Sequence, residues 1–222
     1  MRYPPASPTF ARRFYAVVRG AIAVFARIYW RLRVEGAERL PASGAFILAP
    51  VHRSNIDTPI MATLTRRYMR YLGKEEMWKY GWSAWLWDTL GAFPVQRDKV
   101  DREAMRKCEG ALRAGEPLVV YAEGTRRTSP VIEDLFHGAA HLALRTGAPI
   151  FPVGIGGSAR AMPRGAKFFR PVQVCVVVGE PLYPDLPEAG HRVSRRAVKE
   201  LTERLAKELQ DVHDRARIQA GD

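Results

Sequence analysis

Cysteine is scarce in this sequence of 222 residues, which contains only Cys108 and Cys175. The two positions are far apart and do not form a metal-binding spacing, so they exclude a disulfide framework and favour a reducing compartment. Acidic residues are also few, because 23 Asp and Glu oppose 35 Lys and Arg and leave a formal net charge of +12 at pH 7. This surplus favours a polyanionic partner: nucleic acid, an anionic membrane surface or a phosphorylated substrate.

Long apolar runs are missing as well. A membrane-spanning helix needs ~20 mostly apolar residues, and Arg19 and Arg27 interrupt every such window near the N-terminus. The small-residue cleavage site that is typical of a signal peptide is not found there either. Internal repeats and low-complexity segments are absent, and the length suits one domain with one sizeable core.

The first 34 residues contain seven arginines and no acidic residue. Apolar residues recur with helical spacing between residues 7 and 33, which predicts an amphipathic helix with arginines opposite its apolar sector. We expect residues 1–34 to bind an anionic membrane surface peripherally, on the cytoplasmic face of the cell membrane. Packing of this helix against its own domain, residues 35–222, is the alternative. The apolar sector comprises Phe10, Phe14, Val17, Ala21, Val24, Phe25, Ile28 and Leu32.

A second aromatic cluster occurs at residues 77–88. Trp78, Trp82 and Trp85 recur there at i, i+4 and i+7, which predicts a shared helix face. Tryptophan is favoured at the level of lipid headgroups, but a stripe in the protein core has the same spacing. Both interpretations remain open at this point.

Beyond residue 35, short apolar runs alternate with helical patterns. This alternation predicts a single α/β domain with a mostly parallel central sheet flanked by helices, preceded by the amphipathic N-terminal helix. The predicted helices cover 58–67, 100–114, 134–146 and 194–215. The predicted strands are Ala45–Ala49, Tyr68–Leu72, Phe93–Val95, Leu118–Tyr121, Ile150–Val153 and Val172–Val178.

Charged side chains follow four of the predicted strands, where the carboxyl ends of parallel strands share the edge at which ligands bind. His52 and Asp57 follow the first strand. Five residues turn a helix by ~500°, so the chain must bend between them for the pair to meet. A carboxylate bound to one imidazole nitrogen leaves the other as a general base. The residues after the other three strands are Lys74, Arg97 and the run Glu123, Gly124, Thr125 and Arg126.

Four ordered blocks resemble those of the glycerolipid acyltransferase family, which includes the 1-acylglycerol-3-phosphate acyltransferases. HRSNID (52–57) is similar to the H-x-x-x-x-D motif of that family, and GAFPVQR (91–97) to its G-x-x-F-x-x-R block. AEGTR (122–126) and IFPVGI (150–155) resemble the E-G-T-R and V-P-V-x-I blocks. A lone H-x-x-x-x-D arises by chance in many proteins, whereas four blocks in the right order form a specific signal.

The resemblance implies acyl transfer from acyl-CoA or acyl-carrier protein to the hydroxyl of 1-acylglycerol 3-phosphate (lysophosphatidate), in phosphatidic acid synthesis. It implies no cofactor and no covalent acyl-enzyme. His52 would take the proton of the hydroxyl, and Asp57 would orient His52. The alternative is an acyltransferase that accepts glycerol 3-phosphate or another lysophospholipid, or an inactive, membrane-bound interaction module.

The same resemblance implies a site for the acceptor phosphate. Arg97 and Arg126 would hold the phosphate, because guanidinium groups match its oxygens in pairs. Lys74 is a further candidate ligand of the phosphate or of an oxyanion. Glu123 is expected to orient Arg126 or to bind glycerol hydroxyls. The other members of this substrate-binding block are Gly124 and Thr125.

Three other patterns carry less weight. No nucleic-acid-binding motif accompanies the basic composition, so we expect no nucleic-acid partner. GIGGSA (154–159) imitates a dinucleotide fingerprint, but Pro163 interrupts the helix that it should open. His137 and His141 have a metal-type spacing without an H-E-x-x-H motif, and we expect no metal.

Overall fold

The computed structural model describes residues 6–96, 101–186 and 192–222, which form one α/β domain. Two 3₁₀ helices cover Ala37–Arg39 and Glu75–Trp78. The strands are β1 (Arg33–Glu35), β2 (Ile47–Pro50), β3 (Arg70–Lys74), β4 (Ala92–Val95), β5 (Leu118–Val119), β6 (Ile150–Gly156) and β7 (Cys175–Val178). The α-helices are α1 (Pro8–Tyr29), α2 (Asp57–Ala62), α3 (Gly81–Thr89), α4 (Arg102–Arg113), α5 (Gly138–Thr146), α6 (Ser158–Ala161) and α7 (Arg195–Ala220).

The seven strands form one sheet in the order β1-β7-β6-β2-β5-β3-β4. Every pairing is parallel except that of β6 with β7. All residues of β2, β6 and β7 are buried, as expected for strands whose two faces are both covered by other elements. The predicted fold class, a mostly parallel sheet flanked by helices, is confirmed.

Helix α7 packs closely on β6 at two glycines of the GIGGSA sequence. A Cβ atom on Gly154 would overlap the carbonyl of Val212, and one on Gly156 would overlap the carbonyl of Ala216. These glycines therefore allow the backbone of α7 to approach the sheet. Their role in packing explains the glycine spacing that imitates a dinucleotide fingerprint.

Several element boundaries differ from the predicted ones because strand pairing, rather than apolar content, determines them. β3 begins two residues later than predicted, where the N–H of Arg70 donates to the carbonyl of Pro117 at 2.8 Å. β5 ends at Val119, and β6 continues to Gly156. The sequence did not predict the short β1, which pairs with β7. It also predicted too short a helix α7, and α6 was missed.

Helix α1 has two apolar sides. Ala11, Tyr15 and Ala26 are buried against the domain, and the hydroxyl groups of Tyr15 and Tyr71 lie 2.9 Å apart. The apolar sector predicted from the sequence lies on another side and is open, with Val17 72% and Ile28 75% exposed. The helix therefore packs on its own domain and still presents an apolar face. Within the described residues, no helix is both long and apolar enough to cross a bilayer.

The three tryptophans do not share one helix face. Trp78 belongs to the 3₁₀ helix Glu75–Trp78, and its indole N–H donates to Asp88 at 2.8 Å. Trp82 and Trp85 lie in α3, where Trp82 is exposed and Trp85 contacts Phe10 and Phe14 of α1. The predicted common face is wrong, because the chain bends before α3 begins.

Candidate active site

The loop between β2 and α2 brings His52 and Asp57 together. Asp57 is the first residue of α2, and its Oδ2 lies 3.1 Å from Nδ1 of His52. The backbone N–H groups of Arg53 and Ser54 donate to the same oxygen at 2.7 and 2.6 Å. These bonds hold the bend that lets the carboxylate reach back to the imidazole. Asp57 is fully buried, so the carboxylate is screened from solvent.

The His52 ring is held on its face as well as at Nδ1. The ring of Tyr121 stacks on it with centroids 4.1 Å apart and planes inclined by 28°. The Tyr121 hydroxyl lies 3.0 Å from Oγ1 of Thr58. Burial, together with the nearby Asp57, raises the pKa of Tyr121 well above its ordinary value, so its hydroxyl stays protonated and the side chain is neutral. Because Asp57 occupies Nδ1, Nε2 of His52 is the nitrogen that can exchange a proton with a substrate.

A buried ion pair between Arg53 and Glu123 lies under this loop. Nη1 of Arg53 donates to the two carboxylate oxygens of Glu123 at 2.8 and 2.7 Å and to the His52 carbonyl at 3.1 Å. The backbone N–H of His52 donates to Glu123 at 2.8 Å. Instead of orienting Arg126, as expected from the sequence, Glu123 holds the backbone of His52, and it is only 2% exposed.

Sequence reasoning missed Arg53 as a member of this site. Its signal in the sequence is its position directly after a buried strand, because a guanidinium buried there needs a counter-ion. Glu123 follows the neighbouring strand β5, which pairs with β2. The two partners therefore lie at adjacent strand ends.

The E-G-T-R block forms a tight turn against the histidine loop. Gly124 has φ +67°, and a Cβ atom there would overlap the ring of Phe136, so glycine is required. The N–H of Thr125 donates to the Glu123 carbonyl at 2.8 Å. The next contact is made just after Arg126, where the N–H of Arg127 donates to the His52 carbonyl at 2.9 Å. The backbone of Arg126 therefore lies beside the loop that carries His52 and Asp57.

The other predicted phosphate ligands belong to neighbouring strands. Lys74 is the last residue of β3 and is exposed at the carboxyl edge of the sheet. Arg126 is half-buried. Neither side chain forms an ion pair with another residue in the described part of the chain. Arg97 follows β4 but lies outside the described residues.

The described residues contain no cluster of three or more His, Cys, Asp and Glu side chains that could hold a metal ion. Nδ1 of His137 lies 3.0 Å from the hydroxyl of Thr202 on α7. This contact gives His137 a structural partner.

Residues 31–156 match the family model described as Acyltransferase. The match spans more than half of the chain, and the chain belongs to the acyltransferase family. The histidine–aspartate loop, the E-G-T-R turn and β6 all lie within the matched region.

Among curated proteins, a 1-acyl-sn-glycerol-3-phosphate acyltransferase of Bacillus subtilis (strain 168) is 24% identical over 202 residues, which cover 90% of this chain and 98% of the relative. The chloroplastic 1-acyl-sn-glycerol-3-phosphate acyltransferase BAT2 of Brassica napus is 22% identical over 77% of this chain and 50% of its own length. The crystal structure of the 1-acyl-sn-glycerophosphate (LPA) acyltransferase PlsC from Thermotoga maritima superposes with a TM-score of 0.72. That comparison covers 92% of this chain and 82% of the other at 24% identity, and it shows a shared fold.

Proposed function

We propose that this chain transfers a fatty acyl group from a thioester to the hydroxyl of 1-acylglycerol 3-phosphate, forming phosphatidic acid. The observation that carries the proposal is the dyad, in which Asp57 lies 3.1 Å from Nδ1 of a buried His52. Relatives named as 1-acyl-sn-glycerol-3-phosphate acyltransferases support the choice of acceptor.

In the proposed reaction, Nε2 of His52 takes the proton of the acceptor hydroxyl as its oxygen attacks the thioester carbonyl. Asp57 stabilises the imidazolium that forms. The tetrahedral intermediate then collapses, the C–S bond breaks, and the imidazolium returns its proton to the departing thiolate. The new ester and the free thiol balance the reaction without a cofactor. General-base catalysis of this kind contributes about 10²–10⁴ in rate.

The acceptor phosphate is assigned to Arg126, with Lys74 and Arg97 as further ligands. Arg126 supplies a planar pair of N–H donors that suits two phosphate oxygens, and the turn containing Gly124 and Thr125 sets its place beside His52. Arg127 adds less to this site than its charge suggests, because it pairs with Glu133 at 3.5 Å.

The exposed side of α1 is assigned to a membrane surface, which binds the chain peripherally on the cytoplasmic face. Aromatic side chains extend this apolar face at both ends of the helix. The ring centroids of Phe10 and Trp85 are 6.2 Å apart, and those of Phe25 and Phe169 are 6.1 Å apart. Phe168 is 83% exposed beside it. Aromatic and basic residues together suit an anionic headgroup region.

Thiol release by the purified protein tests the activity. With long-chain acyl-CoA as donor, lysophosphatidate should give thiol release well above that seen with glycerol 3-phosphate or other lysophospholipids. Replacing the donor with acyl-carrier protein identifies the thioester that is used. Faster release with glycerol 3-phosphate would assign a different acceptor, and no release with any pair would favour a catalytically inactive interaction module.

A further inference from the structure

Tyr121 connects the ring of His52 to the first turn of α2. Its own ring stacks on the imidazole, with centroids 4.1 Å apart and planes inclined by 28°. Its hydroxyl lies 3.0 Å from Oγ1 of Thr58, the residue that directly follows Asp57. The imidazole is therefore held at Nδ1 by Asp57 and on its face by Tyr121.

The backbone on both sides of Tyr121 is hydrogen-bonded. The N–H of Val120 donates to the carbonyl of Leu48 in β2 at 2.9 Å. The carbonyl of Tyr121 accepts a hydrogen bond from the N–H of Gly124, also at 2.9 Å. Since β2 leads directly into the loop that carries His52, the two stacked rings belong to adjacent strand ends whose backbone is fixed.

The charge of the imidazole changes during the proposed reaction, because His52 becomes an imidazolium when it takes the proton of the acceptor hydroxyl. The face of an aromatic ring carries a negative electrostatic potential and attracts a cation within about 6 Å of its centroid. The attraction between Tyr121 and His52 is therefore stronger once the imidazole is charged. Only an interaction that strengthens between the ground state and the transition state accelerates a reaction.

The surroundings of the two rings favour a strong attraction. His52 is only 8% exposed, and a cation is attracted more strongly to an aromatic face where water is excluded than at an exposed site. Asp57 stabilises the same cation from the edge of the ring, at Nδ1. Neither contact uses Nε2, the nitrogen that exchanges the proton in the proposed reaction.

We propose that Tyr121 is a positioning residue of the acyl transfer, whose ring face stabilises the His52 imidazolium and whose hydroxyl contact with Thr58 holds that face in place. This assignment rests on the proposed role of His52 as the general base. No bond to Tyr121 forms or breaks, and the ring stacks on a neutral imidazole again once the departing thiolate has taken the proton.

Variants at position 121 separate the ring face from the bulk of the side chain. Tyr121→Leu keeps an apolar side chain without an aromatic face, so the kcat for thiol release should fall roughly 2- to 30-fold, the range expected for one contact of a cation with an aromatic ring. Both KM values should stay close to those of the parent, because the imidazolium forms only after both substrates have bound. Tyr121→Phe keeps the face and should recover most of the kcat. A Phe variant as slow as the Leu variant would overturn the proposal.

Tyr71→Leu is the matched control for lost packing. Tyr71 is also a buried tyrosine whose hydroxyl meets another hydroxyl, that of Tyr15 at 2.9 Å. It lies on β3, which pairs with the strand that precedes Tyr121. Tyr71→Leu should lower stability but leave the kcat of the folded protein near that of the parent. Equal decreases of kcat in Tyr71→Leu and Tyr121→Leu would assign the effect to packing and contradict the proposal.

Ring-fluorinated phenylalanines at position 121 change the shape of the side chain very little, so they test the proposal even if Tyr121→Leu does not fold. Fluorine withdraws electron density from the ring, which weakens the attraction of its face for a cation. Starting from Tyr121→Phe, the kcat should fall progressively as fluorines are added. A kcat that stays constant along this series would overturn the proposal.

Proton NMR tests the stacking itself, independently of activity. The ring current of Tyr121 should shift the ring protons of His52 upfield, with the resonances assigned by their loss in His52→Ala. The upfield shift should persist in Tyr121→Phe and disappear in Tyr121→Leu, and its absence from the parent would contradict the stack.

The kcat of His52→Ala separates this proposal from the proposed function. If His52→Ala keeps the parental kcat, the role of His52 as general base is wrong, and the role of Tyr121 is wrong with it. If His52→Ala is slow while a folded Tyr121→Leu protein is as fast as the parent, only the role of Tyr121 is wrong.

Discussion

At the scale of single residues, Glu123 connects the E-G-T-R turn to the loop that carries His52. Its carboxylate accepts hydrogen bonds from the His52 backbone and from Arg53. Both members of the Arg53–Glu123 ion pair are buried. Removing one member of such a pair leaves an uncompensated charge in a region of low polarity, which costs about 3–5 kcal/mol in other proteins. The glutamate of this block therefore fixes the position of the His52 backbone.

Glu123→Gln should lower the free energy of unfolding by several kcal/mol, because Arg53 loses its counter-ion. The kcat should fall with it, while the KM for the acceptor changes little. Urea unfolding and steady-state kinetics measure the two effects. A raised acceptor KM with unchanged stability would mean that Glu123 binds glycerol hydroxyls, as the sequence first suggested.

Arg126→Lys keeps the positive charge but removes the planar pair of donors. The acceptor KM should rise about tenfold, the value of a charge-assisted hydrogen bond, while the KM for acyl-CoA stays close to that of the parent. Kinetics with each substrate varied in turn provide the measurement. Equal increases in both KM values would show that Arg126 supports the turn instead of the phosphate.

At the scale of elements, α1 has a buried side that packs on the domain and an open apolar side that we propose to bind a membrane surface. Tyr15 and Ala26 attach it to the core, while Val24 and Ile28 lie on the open apolar side. Deleting the helix would expose the core residues that it covers as well as remove the open apolar side. Substitution on the open side separates the two roles.

A double variant, Val24→Asp with Ile28→Asp, should weaken binding to vesicles of anionic lipid at least about tenfold, because each change removes an apolar group worth about 1.5–3 kcal/mol when buried. Thermal stability should stay near that of the parent. Ile218→Asp, at an equally exposed apolar site on α7 (78% exposed), is the matched control. Equal vesicle binding by all three proteins would remove α1 from the membrane surface.

The sequence predicted the existence of six of the seven strands but not their bounds. Apolar runs reveal that a strand is buried, whereas its ends depend on partners elsewhere in the chain, as with Arg70 and Pro117. The dyad was predictable because a local motif and its bend contain both members. The Arg53–Glu123 pair joins residues 70 positions apart, and no local sequence pattern indicates a contact between residues so far apart.

At the scale of the whole molecule, buried ionisable groups link stability to pH. His213 is neutral in the folded state, since its pKa is lowered to about 4 chiefly by burial, whereas an unfolded histidine titrates near 6.5. Between about pH 6.5 and 4 the unfolded chain binds a proton that the folded chain does not. Stability from this group is therefore complete above pH 6.5 and decreases as the pH falls, by up to about 3 kcal/mol.

His213→Gln should lose less stability than the parent between pH 7.5 and pH 4.5, because glutamine does not titrate. Urea unfolding at both pH values in phosphate-free buffer gives the comparison, and the difference between the two decreases is the relevant quantity. Equal decreases in both proteins would mean that folding does not lower the pKa of His213, so that the folded protein is protonated at this residue at pH 4.5.

The proposed function requires the His52–Asp57 dyad to activate an acceptor hydroxyl for attack on a thioester. The most direct test is the kcat of His52→Ala for thiol release from acyl-CoA with lysophosphatidate, measured on protein whose circular dichroism matches that of the parent. The kcat should decrease by about 10²–10⁴-fold, the contribution of general-base catalysis. A folded His52→Ala protein that releases thiol at nearly the parental rate would contradict it.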